Sequence, residues 1–122
     1  MFGHKKNFIY GYIFGTLHNR LIRKDLKPGD VHVFEIAIPA KYYLPERLIE
    51  KHPVVMLCHD TKISAYKKFK RSFKSNITEL LNNCLNNFIN KSFRVTNSFL
   101  HYSEEFHMPM YRIEVTRFEK GE

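Results

Sequence analysis

The chain has 122 residues, which suits one domain and leaves little room for a second. Hydrophobic residues make up 43% of it, enough for a real core, which argues against disorder over most of its length. The formal net charge of +8 favours polyanionic partners, and two cysteines are too few for a disulfide framework. We therefore expect buried thiols in a reducing, cytoplasmic compartment.

The N-terminal segment alternates aromatic residues with smaller ones. The aromatic positions are Phe8, Tyr10, Tyr12 and Phe14. This period of two predicts a strand with one aromatic face. Gly11 and Gly15 fall on the opposite face, where they would permit another element to approach closely. The apolar stretch is too short to cross a bilayer, so we expect no membrane insertion.

The next segments predict a helix, a turn and a strand. Apolar residues at helical spacing from Leu17 to Leu26 predict a short helix. Pro28 and Gly29 fit the two central positions of a type II turn over residues 27–30. Residues 31–38 are largely β-branched and apolar on both faces, which predicts a central strand.

The middle of the chain predicts a short helix over 46–52, a buried strand over 54–58 and then one long amphipathic helix over 64–90. Apolar side chains recur along the long segment at three and four residues. A new helix starting at Ser75 and Asn76, with Glu79 completing a capping box, is the alternative. We favour a single helix because the apolar stripe keeps its phase across that point.

The C-terminal part predicts a β-hairpin, with strands over 93–102 and 111–116. The whole chain, residues 1–122, is therefore expected to be a single α+β domain. Its sheet would hold about five strands, largely antiparallel, with the long helix packed on it.

A run of basic residues on the long helix is the first candidate site. Between residues 61 and 78 there are six basic residues and no acidic one. At 100° per residue, four of them share one flank of the helix: Lys67, Lys70, Arg71 and Lys74. Such a flank suits contact with backbone phosphates, because neutralising phosphates releases counterions. A solvated helix face or a site for an acidic protein are the alternatives.

A second basic cluster and two tyrosines extend this hypothesis. The cluster follows the first predicted strand and consists of Arg20, Arg23 and Lys24, with Lys27 nearby. Tyr10 and Tyr12 on the predicted aromatic face would stack single-stranded bases. The alternative is that the long helix covers this face and the rings belong to the core.

Two histidine motifs are the third candidate. His59-Asp60-Thr61 and His101-Tyr102-Ser103 each follow a predicted strand, so each histidine would share a face with a hydroxyl group. The paired His-x-Thr and His-x-Ser motifs resemble those of the two-histidine phosphoesterases. That resemblance implies a phosphate held between the pairs, with His59 and His101 as general acid and base. Ordinary histidines at strand ends are the alternative.

The sequence thus favours a small, basic, non-enzymatic nucleic-acid-binding accessory protein with no cofactor and no metal site. An interaction protein of viral or phage type that binds a host protein complex is the second hypothesis. A histidine-dependent phosphoesterase or ribonuclease is the third. Partners are expected to be nucleic acid or an acidic protein surface, and the oligomeric state is left open.

Overall fold

The computed structural model describes residues 2–44, 59–88 and 92–118. The elements in these ranges are α1 (Phe2–Arg23), β1 (Val31–Ala37), a 3-10 turn (Ala40–Tyr42), α2 (His59–Ser72), α3 (Thr78–Phe88), β2 (Phe93–Ser103) and β3 (Met108–Arg117). The α+β class is confirmed, but in these ranges the antiparallel sheet has three strands, in the order β1-β3-β2, rather than about five. The helix predicted over 46–52 and the strand predicted over 54–58 lie outside the described residues.

The N-terminal segment is helix α1, so the strand predicted over residues 8–14 is wrong. A fully buried stripe repeats every fourth residue and consists of Ile9, Ile13, Leu17 and Leu21. Their burial on the sheet stabilises the helix, whereas the alternating aromatic residues do not all lie on one face of it. Phe8 is 67% exposed, while Tyr10 and Phe14 pack partly against the core.

The outer side of α1 is open. A Cβ added at Gly11 or Gly15 would meet no atom within 4 Å, so the close neighbour expected at these glycines is not present among the described residues. Neither α1 nor any other helix of the described ranges is long and apolar enough to cross a membrane.

The turn over residues 27–30 is confirmed. Gly29 has a φ of +91°, and the Asp30 N–H donates to the Lys27 carbonyl at 2.9 Å. A positive φ at the third position defines a type II turn and favours glycine there. The turn connects α1 to β1.

Within the described residues, strand β1 lies at an edge of the sheet and not at the central position predicted for it. It pairs with β3 from Val31 to Ala37, and β3 pairs with β2 on its other side. The buried apolar residues of β1 lie on one face of the strand. Phe34 and Ile36 are buried beneath the helices, whereas Val31 on the other face is exposed.

The three helices of the described ranges cover the same face of the sheet. Tyr111, Ile113 and Val115 of β3 are fully buried there, in one cluster with residues of α1, α2 and α3. The register places Glu35, Arg112 and Phe99 side by side on the opposite face. That face is open to solvent, since these three side chains are exposed or half-exposed.

Two helices, α2 and α3, replace the one long helix predicted over 64–90. Phe73 and Ile77 between them remain buried, which explains why the apolar stripe keeps its phase in the sequence. Strand β2 supplies the hydrogen bonds that a continuous helix would have made. The Ile77 N–H donates to Ser98 Oγ at 3.0 Å, and the Leu100 N–H donates to the Ser75 carbonyl at 3.1 Å. The alternative of a second helix beginning near Asn76 is therefore the correct one.

Candidate nucleic-acid interface

The first basic surface is the α2 segment, which we define as Lys67, Lys70, Arg71 and Lys74. All four side chains are exposed. Within the described residues, none of them lies within salt-bridge distance of a carboxylate. The opposite side of the same stretch holds Tyr66, Phe69 and Phe73, which are buried. Lys67, Lys70 and Arg71 are thus carried on a packed helix and face solvent. Because α2 ends at Ser72, Lys74 follows the helix, and the four cations do not all share its flank as predicted.

Lys74 is fixed through its backbone on both sides. Its N–H donates to the Tyr10 hydroxyl of α1 at 3.4 Å, and its carbonyl accepts a hydrogen bond from the Tyr111 hydroxyl of β3. Burial raises the pKa of Tyr111, so this phenol stays protonated and able to donate over the whole neutral range. The Lys74 ammonium therefore projects from a point held by two other elements.

The second basic surface is the α1 cluster, which we define as Arg20, Arg23 and Lys24. These exposed residues occupy the last turn of α1 and the residue after it. Together with His32, Phe34 and other residues of β1 they line an open groove of about 460 Å³. Arg20 Nη1 donates to the Glu35 carbonyl at 2.7 Å, which ties the helix end to the strand.

The α2 segment and the α1 cluster do not form one compact patch. Lys74 contacts Tyr10, and Arg20 lies roughly 15 Å further along the axis of α1 at 1.5 Å per residue. A polyanion that touches both surfaces must therefore extend along the helix.

The two tyrosines predicted to stack bases lie on α1 and not on a sheet face. The Tyr10 ring packs edge-on against Phe73 at 6.3 Å between centroids, and its hydroxyl accepts from Lys74. This makes Tyr10 a packing residue between α1 and α2. Tyr12 is 38% exposed, with its ring 6.4 Å from that of Tyr42.

The two histidine motifs differ in structure. Residues 59–61 are the first turn of α2, where residues i and i+2 do not share a face, so the strand geometry assumed for His59 and Thr61 is wrong. His101 and Ser103 do lie on strand β2. His101 Nε2 is 2.8 Å from Glu35 Oε2, so the imidazole already has a carboxylate as its hydrogen-bond partner. The His59 side chain lies outside what the structure describes.

Residues 2–44, 59–88 and 92–118 contain no group of three His, Cys, Asp or Glu side chains placed to hold a metal ion. The half-buried Cys84 of α3 carries no such neighbours within those ranges.

His32 and Phe34 are site residues that sequence reasoning missed. Their rings meet edge-on at 4.6 Å in the groove beside the α1 cluster. Burial, with a smaller contribution from the nearby Lys24 ammonium, lowers the pKa of His32. The available signal was the alternation of His32, Phe34 and Ile36 on one face of a predicted strand that follows a basic helix end.

Comparison with protein-family models, with curated proteins and with solved structures finds no match.

Proposed function

We propose that the protein is a non-enzymatic nucleic-acid-binding accessory protein that contacts backbone phosphates through the α2 segment. The observation that carries this proposal is the set of four exposed cations without carboxylate partners among the described residues. Cations that were ion-paired or buried would bind phosphates only weakly. The net charge of +8 adds a long-range attraction for the same class of partner.

The fixed position of Lys74 supports the same reading. Binding a polyanion orders both backbone and side chains at the contact, and a backbone that is already held in place loses little further conformational freedom. Two tyrosine hydroxyl groups hold this backbone, one from α1 and one from β3. Backbone phosphates are recognised without regard to base sequence, so we expect low sequence specificity.

The test is a fluorescence-anisotropy titration of a short DNA duplex and a single-stranded RNA at several salt concentrations. The variant is Lys67→Gln with Lys70→Gln. We expect weaker binding at low salt and, for duplex DNA, a slope of log K against log salt reduced by about 1.8, or about 0.9 for each lost phosphate contact.

The matched control is Lys27→Gln with Arg94→Gln, which removes the same charge at the far end of the sheet. Lys27 lies in the turn before β1, and Arg94 of β2 pairs with Thr116 of β3. The control should keep most of the wild-type slope. Equal losses in both variants would mean that only net charge matters, and would contradict a defined α2 contact surface.

The second candidate function, an interaction protein, is favoured by the apolar outer side of α1. Phe8 and Ile22 are 67% and 64% exposed there. Scattered apolar residues are common on protein surfaces, so their exposure alone does not identify a binding surface, and a variant is needed to test it. Phe8→Ser with Ile22→Ser should abolish capture of a defined protein from nuclease-treated lysate if this side binds a partner. Unchanged capture would exclude α1 as that surface.

A further inference from the structure

The groove between the end of α1 and the start of β1 has the composition of a small-ligand site. The α1 cluster forms its basic side, and His32 and Phe34 contribute aromatic rings from the strand. Its volume of about 460 Å³ falls within the roughly 300–1,000 Å³ range of small-molecule pockets.

The positive charge of this groove is not cancelled by its own lining. Among the described residues that line it, Glu35 is the one with a carboxylate. That carboxylate is turned to the other face of the sheet, where Oε2 lies 2.8 Å from His101 Nε2 and Oε1 lies 3.7 Å from Arg112 Nε. Glu35 presents its backbone carbonyl to the α1 side, where Arg20 binds it.

Arg20 of the α1 cluster does not bind the end of its own helix. Cations in a last turn are favoured by the helix dipole and often bind the final carbonyl groups of their own helix. Arg20 instead reaches across to β1 through Nη1. A guanidinium carries five N–H donors, so further donors remain for an anion beside that bond.

The imidazole of His32 adds a group suited to a neutral, planar part of a ligand. Burial first, and Lys24 second, lower its pKa, so the ring is neutral at pH 7. The ring is half-buried and meets the Phe34 ring edge-on at 4.6 Å between centroids. Rings of this kind are common stacking partners for the bases of single-stranded nucleic acids.

We propose that this groove binds a nucleoside phosphate, with the phosphate on the α1 cluster and the base against His32. The ligand is either a free nucleotide or the phosphorylated end of a strand, because both present the same chemistry. The proposal depends on the groove alone and does not require the α2 segment to bind nucleic acid.

The first experiment is an NMR titration of the full chain with adenosine 5′-monophosphate, inorganic phosphate and adenosine. The His32 ring signal is assigned by its loss in His32→Gln. We expect the nucleotide to bind more tightly than phosphate or adenosine and to raise the pKa of His32, since a nearby anion favours the charged imidazole. Equal affinity for nucleotide and phosphate would overturn the base contact, and an unmoved His32 signal would overturn the site.

The second experiment compares two charge-matched variants. Arg23→Gln with Lys24→Gln should weaken nucleotide binding by about tenfold, the equivalent of one charge-assisted hydrogen bond. Lys67→Gln with Lys70→Gln should leave it unchanged, even where it abolishes binding of long nucleic acid. The reverse pattern would overturn the groove proposal while supporting the α2 surface, so the two proposals fail separately.

A final arm separates the two sources of the ligand. Two short oligonucleotides of one sequence, with and without a 5′-phosphate, are titrated alongside the free nucleotide. Tighter binding of the phosphorylated strand than of either competitor identifies a strand end as the ligand. Tighter binding of the free nucleotide identifies a mononucleotide, and no preference for a phosphorylated form would overturn the proposal.

Discussion

His101 Nε2 lies 2.8 Å from Glu35 Oε2, and this pair joins the two outer strands of the sheet across the central strand β3. The register pairs Glu35 with Arg112, and His101 with Met110, so the two side chains meet diagonally over β3. Arg112 Nε is 3.7 Å from the second carboxylate oxygen. The bridge therefore ties β1 to β2, which are not themselves hydrogen-bonded neighbours.

This bridge should contribute little to the free energy of unfolding. The His101 and Glu35 side chains are 30% and 37% exposed, and pairs at such exposed positions typically contribute about 0.2–1 kcal/mol. A double-mutant cycle with Glu35→Gln and His101→Gln, measured by urea unfolding, should give a coupling energy in that range. A coupling above about 2 kcal/mol would show that the bridge is a major stabilising contact of the sheet.

Asn82 of α3 should contribute far more to the free energy of unfolding than its polar neighbours on the same helix. Its side-chain Nδ2 donates to the Val95 carbonyl at 2.9 Å, and its Oδ1 accepts from the Val95 N–H at 2.7 Å. Val95 is buried beside an irregularity in the pairing of β2 with β3. Asn82→Ala leaves both backbone groups without this partner, and we expect a loss of about 1–3 kcal/mol.

Asn83→Ala is the matched control, because Asn83 is exposed on the same helix. Both substitutions gain the same helix propensity, so the difference between them isolates the two hydrogen bonds. Asn83→Ala should change the free energy of unfolding by no more than about 0.5 kcal/mol. Thermal or urea unfolding that ranks the two variants equally would contradict the role of Asn82.

Asn82 also shows where sequence reasoning stops. Strands β2 and β3 were predicted correctly, because their alternation reflects one buried face. The break between α2 and α3 was not preferred, because Ser98 and Leu100 of β2 stabilise it and only the folded chain brings them to Ser75 and Ile77. For the same reason the asparagines of α3 looked alike in the sequence.

The N-terminal error has a different cause. The aromatic alternation fitted a strand, and the stripe from Ile9 to Leu21 fitted a helix over the same residues. Propensity could not separate the two periods, and packing against the sheet decided between them. The same error led to the prediction that Tyr10 stacks bases, whereas its ring packs against Phe73. The cations of the α2 segment and the α1 cluster are exposed, as charged side chains usually are in either element, whereas Lys62 of the same basic run is buried.

Tyr111→Phe should destabilise the protein and change its response to alkali. The hydroxyl donates to the Lys74 carbonyl from a fully buried ring, and its loss should cost about 1–2 kcal/mol at pH 7. Because burial raises the pKa of Tyr111, the folded state favours the protonated phenol. Its contribution is therefore fully present below about pH 10, the pKa of an unfolded tyrosine, and is lost as the pH rises above that value.

Urea unfolding of wild type and Tyr111→Phe between pH 7 and pH 11 checks this prediction. The wild-type free energy of unfolding should fall more steeply above about pH 10 than that of the variant. Tyr12→Phe is the control, because it removes the same hydroxyl group from a ring that is 38% exposed on the surface of α1. Parallel curves for wild type and Tyr111→Phe would contradict a buried, protonated phenol.

The titration of His32 should report the charge of the groove directly. Burial is the larger cause of its lowered pKa and the Lys24 ammonium is the smaller, so Lys24→Gln should raise the pKa of His32 only part of the way to 6.5.

The folded state favours neutral His32, so its contribution to stability is present above about pH 6.5 and is lost as the pH falls through the lower, folded-state pKa. An NMR titration of Lys24→Gln beside Lys27→Gln tests this, because Lys27 lies in the turn and does not line the groove. A full return to 6.5 in Lys24→Gln would reverse the order of the two causes, and an equal rise in both variants would show that His32 responds to net charge rather than to its neighbour across the groove.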